Sequence, residues 1–187
     1  MADEGRAREV LLDTAWQMWA EVGWAAVTLD AAAAAAGLDA TCFREEFPED
    51  VDLLCEVFDH SSELRGSAAL AAMDAAVEGE SRWLAAIESY VRLLEEDPRH
   101  AAVLVEAVGS PELRARRRSS YRGFAVVMAG MATRSSRDPH DQLAAAHFCI
   151  GGLTELTLAW QDTDTDVDRD AVLRQGSMLF ELVMSGG

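Results

Sequence analysis

Residues 28–47 read TLDAAAAAAGLDATCFREEF, and this stretch decides the fold. Thr28 can cap a short alanine-rich helix, Leu29 to Ala36, because its hydroxyl accepts a hydrogen bond from a backbone N–H that is free at a helix start. Gly37 can supply the left-handed residue that ends this helix. A second short helix, Ala40 to Phe47, then follows. Two short helices at this spacing predict a helix-turn-helix, whose second helix enters a DNA groove.

The same kind of signal continues through the rest of the chain. Apolar residues recur at the helical spacing of three and four, and Ser or Asp before Pro marks several helix starts. Since strand signals are nearly absent, the sequence predicts an all-α fold. Besides the two short helices, the predicted helices are Arg6 to Val22, Pro48 to Ala76, Ser81 to Glu95, Pro98 to Val108, Pro111 to Thr133, Pro139 to Gln161 and Asp168 to Met184.

Length and composition restrict the class of protein. The chain has 187 residues, of which 50% are hydrophobic, enough for the core of one or two domains. No apolar run reaches the roughly 18 residues of a membrane span, and no targeting leader is visible. The cysteines Cys42, Cys55 and Cys149 form no metal or disulfide pattern, and the first two are predicted to be small core residues. We expect a soluble cytoplasmic protein with no membrane partner.

The chain is strongly acidic. It carries 33 Asp and Glu against 16 basic residues, all of them Arg, for a net charge of -17 at pH 7. On average such a surface repels polyanions. One basic cluster is predicted to pair with the chain's own acids, and it consists of Arg114, Arg116, Arg117, Arg118 and Arg122.

Landmark residues in the first third of the chain follow a known order. They are Ala15-Trp16, Met18-Trp19, Gly23-Trp24, Thr28-Leu29, Ala36-Gly37-Leu38, Phe43, Phe47 and Leu53. This order resembles the head of the TetR family of bacterial transcription regulators. Later segments that are also similar are Asp97-Pro98-Arg99, Pro111-Glu112-Leu113-Arg114 and Gly151-Gly152-Leu153 through Trp160. The resemblance therefore covers nearly the whole chain.

The resemblance implies a two-part, all-α protein. Residues 1–50 would form a helix-turn-helix head, and residues 51–187 a helical body that binds a ligand and dimerises. The resemblance also implies a homodimer built from the last two long helices. The sequence contains no catalytic or cofactor motif, so we expect neither an enzyme nor a bound cofactor.

The head departs from the family pattern where the family touches DNA. Between Thr28 and His60 the chain has nine carboxylates and a single Arg, a net charge of -8. Asp50 stands where the family commonly has a phosphate-contacting Lys. Because phosphate contacts from Lys and Arg supply most non-specific DNA affinity, strong operator binding is doubtful. The predicted head surface, for a protein partner or DNA, consists of Asp39, Thr41, Arg44, Glu45, Glu46 and Asp50.

Three interpretations of this head stay open. In the first, it binds a protein of opposite charge, such as a basic regulator, in place of an operator. In the second, the acids merely face solvent and the chain is a conventional ligand-released DNA-binding repressor or activator, with contacts from Arg6, Arg8, Arg44 and Thr41. In the third, an enzyme or ligand carrier has reused the helical body, although no catalytic constellation supports it.

The body contains aromatic residues at helical spacing, a pattern that is typical of an ordinary core and also of a ligand pocket. The resemblance favours the pocket, with Glu88, Glu155 and His147 as its ionisable groups and a mostly apolar small-molecule ligand. Its predicted lining residues are Trp83, Tyr90, Tyr121, Phe124, Met128, His147 and Phe148.

A second apolar face runs along the last two helices, where small and large residues alternate as in packed antiparallel helices. This face fits an isologous dimer interface, in which the same surface of each subunit pairs. The alternative is that the same face packs inside one subunit. The predicted interface consists of Glu155, Leu156, Ala159, Trp160, Leu173, Leu179 and Val183.

Two patterns in the sequence resemble metal sites, but neither has the residues that a metal site requires. The alternating aspartates from Asp162 to Asp170 lack the Gly and Glu of a calcium loop, since Val167 and Leu173 occupy those positions. His140 and His147 are too few ligands, because metal sites need three or four. We expect a solvated loop that caps the last helix, and no metal.

Overall fold

The computed structural model describes residues 2–131 and 138–184, and within these ranges the chain forms helices and no strand. Two short 3-10 helices, Trp24–Ala26 and Ala40–Phe43, accompany the α-helices. The all-α prediction is therefore confirmed. The α-helices are α1 Ala2–Val22, α2 Leu29–Ala36, α3 Asp50–Ala75, α4 Arg82–Glu96, α5 Arg99–Glu106, α6 Pro111–Met131, α7 Pro139–Gln161 and α8 Arg169–Met184.

Local capping groups explain why several helices begin and end where the sequence predicts. The hydroxyl oxygen of Thr28 accepts a hydrogen bond from the backbone N–H of Ala31, with an N···O distance of 3.1 Å. Gly37 ends α2 in the left-handed conformation, with a φ of 70°. Asp138 caps α7 by accepting from the N–H of His140 at 2.9 Å. The predicted end of the sixth α-helix, Thr133, lies outside the described residues.

The prediction of the second helix of the helix-turn-helix is wrong. Instead of an α-helix over Ala40 to Phe47, the structure has the 3-10 helix Ala40–Phe43 followed by a turn. Pro48 disfavours the helical conformation in the residue before it, so the segment is too short to build α-helical turns. The side chains of Phe43 and Phe47 are 8% and 3% exposed, so both still anchor the segment to the core.

The chain packs as two compact units. Unit 1 comprises Met1–Glu63 with Asp97–Arg117, and unit 2 comprises Leu64–Glu96 with Arg118–Gly187. The helices α3 and α6 therefore contribute residues to both. This division of packing differs from the predicted functional division at residue 50, which stays a prediction.

Unit 1 is built around large aromatic side chains. Trp19 is fully buried and Trp16 is 3% exposed. The indole of Trp24 lies so close to Gly109 that a Cβ at this glycine would come within 2.2 Å of the indole nitrogen. The core of unit 1 also includes Leu11, Val27, Leu29, Leu53, Leu54, Val57, Phe58, Val103 and Leu113.

Unit 2 has a smaller apolar core between α4, α6, α7 and α8. The rings of Trp83 and Phe180 pack with their centroids 5.4 Å apart. Gly176 lets α8 approach α4, because a Cβ there would lie 3.2 Å from the terminal methyl group of Ile87. The buried residues of this core are Ile87, Val91, Ala125, Ala146, Cys149, Val172, Phe180 and Met184.

Arg99 connects α5 to α1 inside unit 1. Its guanidinium lies 4.4 Å from the ring centroid of Trp16, and it donates hydrogen bonds to Asp13 at 2.7 Å and to Asp97 at 2.7 Å. These hydrogen bonds from Arg99 are the main reason that the pKa of Asp97 is lowered. Because Arg99 and Asp97 are both about one quarter exposed, with side-chain exposures of 24% and 28%, this contact is shielded from solvent.

We predict that Arg99→Gln lowers the free energy of unfolding by about 1–3 kcal/mol, because it removes a stacked cation and charged hydrogen bonds. Arg92→Gln is the matched control, since this side chain is 64% exposed and pairs loosely with Glu96. A lowered carboxyl pKa stabilises the fold above the ordinary Asp value, and this contribution is lost as pH falls through the lowered value. Urea unfolding at a series of decreasing pH values measures this: the free energies of unfolding of the unmodified protein and of Arg99→Gln should approach each other in acid. Equal losses for both substitutions would contradict the prediction.

Candidate functional site

The predicted head surface is brought together between α2 and α3 in unit 1. All six of its residues are exposed, as a surface for a macromolecule requires. Cys42, predicted to be a core residue, is also exposed there, because the 3-10 helix turns Phe43 inward instead. Cys55 is half-buried, and burial is the main cause that raises the pKa of its thiol.

A carboxylate of the chain occupies the start of α2. Asp50 accepts a hydrogen bond from the backbone N–H of Leu29 at 2.8 Å, while Thr28 takes the N–H of Ala31. The N-terminus of a helix carries partial positive charge and free N–H groups, which suit a phosphate. The negative charge of Asp50 therefore stands where a backbone phosphate would otherwise bind.

Two of the three arginines predicted to contact DNA, Arg8 and Arg44, are paired with acids of the same unit. Arg44 donates to Asp30 at 2.5 Å. Arg8 donates to Glu46 at 2.6 Å and to Glu56 at 2.5 Å, and the hydrogen bond to Glu56 is the largest cause that raises the pKa of Arg8. Exposed pairs of this kind contribute only about 0–1 kcal/mol each to stability. Their main effect is to lower the positive potential around these arginines.

Thr41, the polar residue predicted to reach DNA, faces a carboxylate as well. Its backbone N–H and its hydroxyl both donate to Asp39, at 2.9 and 2.8 Å. The backbone hydrogen bond is the first cause that lowers the pKa of Asp39, so this carboxylate stays negative at neutral pH. Three of the four donors predicted for DNA, Arg8, Arg44 and Thr41, thus point at carboxylates of the chain itself.

The structure separates the predicted pocket residues into two groups. Trp83, Tyr90 and Met128 pack against the core of unit 2, and Phe124 places its ring where a Cβ of Gly66 would be. Tyr121 is half-buried. His147 and Phe148 lie on the outer side of α7, where Phe148 is 63% exposed. The geometry therefore does not bring these last two residues to the others.

Sequence reasoning missed the buried charge of the body. Arg65 is only 6% exposed and lies beside the phenol of Tyr90, whose pKa is raised by burial and lowered in part by this guanidinium. The groups predicted to point inward, Glu88, Glu155 and His147, are all exposed. A signal existed, because Arg65 continues the spacing of three and four residues of Leu54, Phe58 and Ser61 along α3, all of which are buried.

The predicted dimer face is divided in a similar way. Trp160, Leu173 and Val183 pack partly against the core of unit 2, as the single-subunit alternative required. Leu156, Ala159 and Leu179 are half-buried, and Glu155 is exposed. The large apolar residues that α7 and α8 leave exposed are Phe148, Met178 and Leu182, at 63%, 53% and 66%.

The helix α7 is unusually apolar for one that is so little covered. By length and composition alone it could cross a membrane, and 22% of its most apolar window is buried. An interface helix of a globular protein passes the same test, because it too must be apolar on more than one side.

Two smaller predictions concern ion pairs and metals. Arg116 of the basic cluster pairs with Asp59, which confirms for this residue the predicted pairing with the chain's own acids. Asp168 caps α8 by accepting from the N–H of Ala171 at 2.6 Å, as expected of the aspartate-rich loop. Among the described residues, no group of three or more His, Cys, Asp or Glu is placed to hold a metal ion.

Three solved structures share this architecture over nearly the whole chain. The fatty acid degradation regulator FadR from Bacillus halodurans has a TM-score of 0.74 at 19% identity, covering 92% of this chain and 96% of its own. A TetR-like transcriptional regulator from Rhodococcus sp. RHA1 has a TM-score of 0.67 at 16% identity, covering 92% of each chain. AibR, in complex with isovaleryl coenzyme A and operator DNA, has a TM-score of 0.63 at 16% identity, covering 96% of this chain and 98% of its own.

This chain has the fold of the TetR-family transcriptional regulators. The TetR-like architecture expected from the sequence is therefore confirmed. The first two of these neighbours are described as regulators, and the third was solved with operator DNA. No family model and no curated protein sequence matches the chain.

We predict that Asp50→Ala lowers the free energy of unfolding of this TetR-fold protein by about 1 kcal/mol, since it leaves the Leu29 N–H without its cap. Glu45→Ala is the control, because it removes the same charge from an exposed residue of the same surface. Thermal or urea unfolding of the two variants measures the difference. If Asp50→Ala proves as stable as the control, the capping role is wrong.

Proposed function

We propose that the chain is a dimeric, cytoplasmic transcription regulator whose body binds a small molecule and whose head acts through a basic protein partner instead of binding an operator strongly. The observation that supports this most is the pairing of the head's own donors. Arg8, Arg44 and Thr41 already donate to carboxylates, and Asp50 occupies the start of α2.

The electrostatic balance favours a basic partner over DNA. Between Thr28 and His60 the net charge is -8, and Glu45, Glu46 and Glu49 are all exposed. A carboxylate and a phosphate at contact distance repel by about 1 kcal/mol even in water. Non-specific DNA affinity of roughly 5–8 kcal/mol comes mainly from contacts of the opposite sign. A basic protein would meet the same surface with attraction, which speeds encounter and orients binding.

A conventional, ligand-released repressor is the second candidate. AibR shares the fold and was solved with operator DNA, so the architecture itself accommodates a duplex. The surface pairs of Arg8 and Arg44 are weak, and phosphates could replace their carboxylate partners. This candidate requires DNA affinity that falls steeply with salt, because each phosphate contact releases counterions.

We expect the purified protein to show no selective binding to its own upstream DNA at about 50 or about 200 mM salt, the range in which phosphate contacts are visible. Glu45→Arg with Glu49→Arg should create salt-sensitive binding and abolish capture of a basic partner. The matched control, Glu78→Arg with Glu80→Arg, makes the same charge change at exposed residues of unit 2 and should do neither. Selective, salt-sensitive binding by the unmodified protein would establish the conventional repressor.

The proposed dimer uses the exposed apolar side of α7 and α8. Phe148, Met178 and Leu182 lie on two helices that pack against each other in unit 2. Scattered apolar residues on a surface are ordinary, whereas three large ones on adjacent helices favour burial against a second copy. The same surface from each subunit would then pair, as an isologous interface requires.

Leu182→Asp should convert the dimer to a monomer, since it places a charge within that apolar surface. Val77→Asp is the matched control, because Val77 is similarly exposed at 64% and lies outside α7 and α8. Sedimentation equilibrium gives the mass of each form. A dimer that survives Leu182→Asp, or an unmodified protein that is monomeric, would exclude this interface.

A further inference from the structure

The helix α6 carries arginines that the chain does not neutralise. Five arginines and one glutamate give α6 a net charge of +4, in a chain whose net charge is -17. Arg118 and Arg122 lie one turn apart in unit 2, and both are exposed. Among the described residues neither has a carboxylate partner, whereas Arg8, Arg44 and Arg169 do. These two guanidiniums are therefore available to a second molecule.

The arrangement of the two arginines costs the chain stability. Like charges one turn apart repel and weaken a helix slightly. The Nε of Arg122 donates to the backbone carbonyl of Arg118 at 3.4 Å, so its side chain lies back along the helix towards the other cation. A carboxylate one turn away on α6 would offset the repulsion, and the sequence places none at those positions. The pair is therefore better explained by binding than by stability.

Exposed apolar residues continue the same line along α6. Val126 lies one turn after Arg122 and is 61% exposed, and Val127 beside it is 45% exposed. We call Arg118, Arg122 and Val126 the α6 row. Arginine beside apolar side chains is typical of protein interfaces, whereas a small anion would leave the valines in water. The α6 row therefore fits a protein surface that offers carboxylates and covers hydrocarbon.

The head of the same protein supplies such carboxylates. Glu45 and Glu49 are exposed, and within the described part of the chain neither side chain has a partner. Between residues 28 and 60 the net charge is -8. Cys42, exposed on the same side of the head, adds a small apolar side chain. Every copy thus carries both a basic row and an acidic surface, and opposite charges of this kind orient binding.

We infer that the α6 row of one copy binds the acidic head of a second copy. The contact joins two different surfaces, so it is heterologous and extends a dimer into larger assemblies. The inference goes beyond the proposed function, because it requires neither a basic partner nor a ligand. In such an assembly each bound head is covered, and any other molecule that binds the head must displace the second copy.

Sedimentation equilibrium of the purified full-length protein tests the contact at about 20 and about 300 mM salt, since salt screens exposed charges over this range. We expect the average mass to be at least about 1.5-fold higher at the lower salt. The direction is diagnostic, because the net charge of -17 alone would increase repulsion at low salt. An average mass that stays constant or falls at low salt would overturn the inference. Neither DNA nor a partner is present, so the result does not depend on the proposed action of the head.

Charge reversal assigns the contact to the α6 row. Arg118→Glu with Arg122→Glu should abolish the increase in mass at low salt. The matched control is Arg82→Glu with Arg92→Glu, which makes the same charge change in unit 2 at arginines of α4 that are 50% and 64% exposed. The control should keep the increase. If both variants lose it equally, or if the first variant keeps it, the row is not the binding surface.

A mixture of two variants tests whether the row and the head bind each other. Glu45→Arg with Glu49→Arg makes the head less acidic, so this protein should also lose the increase in mass. When it is mixed with Arg118→Glu with Arg122→Glu, each protein offers the surface that the other has lost. We expect the mixture to regain the increase at low salt, which misfolded variants could not do. A mixture that keeps the mass of its separate components would overturn the contact between row and head.

Discussion

The hydrogen bond from the Leu29 N–H to Asp50 ties the start of α2 to the start of α3 and fixes the segment between them. That segment carries every other charged group of the head surface, and its position depends on this contact together with the burial of Phe43 and Phe47. The same contact places a negative charge at the helix terminus best suited to an anion. One side chain thus stabilises the head and makes the start of α2 less attractive to an anion. A positively charged residue at this position could not accept the hydrogen bond from the Leu29 N–H.

Helix ends were predictable from sequence because their causes are local. Thr28, Gly37 and Asp138 act on backbone groups within four residues, so the sequence shows both partners of each interaction. The segment after Asp39 was harder, because Pro48 restricts the residue before it and the segment is held by the burial of Phe43 and Phe47 in the core of unit 1. Helix propensity is a weak preference that tertiary packing overrides.

The candidate sites were only partly predictable because they depend on which helices meet. Sequence identified the acidic character of the head, but the pairing of Arg8 with Glu46 and Glu56 joins residues about forty or more positions apart. In the body, the sequence suggested a pocket of aromatic residues, which stays a prediction, and the burial of Arg65 was not predicted. Arginine is ordinarily a surface residue, so its position on the inward stripe of α3 was not interpreted as burial, and the structure shows that it is 6% exposed.

The distribution of cysteines has a practical consequence. Cys42 is exposed on the 3-10 helix of the head, Cys149 is buried, and Cys55 is half-buried with a pKa that burial raises. Since the thiolate is the reactive form, a maleimide fluorophore should modify Cys42 first. The natural sequence therefore offers a single spectroscopic reporter beside Thr41 and Phe43. Its anisotropy would follow whatever macromolecule docks on the head, in solution and without an engineered tag.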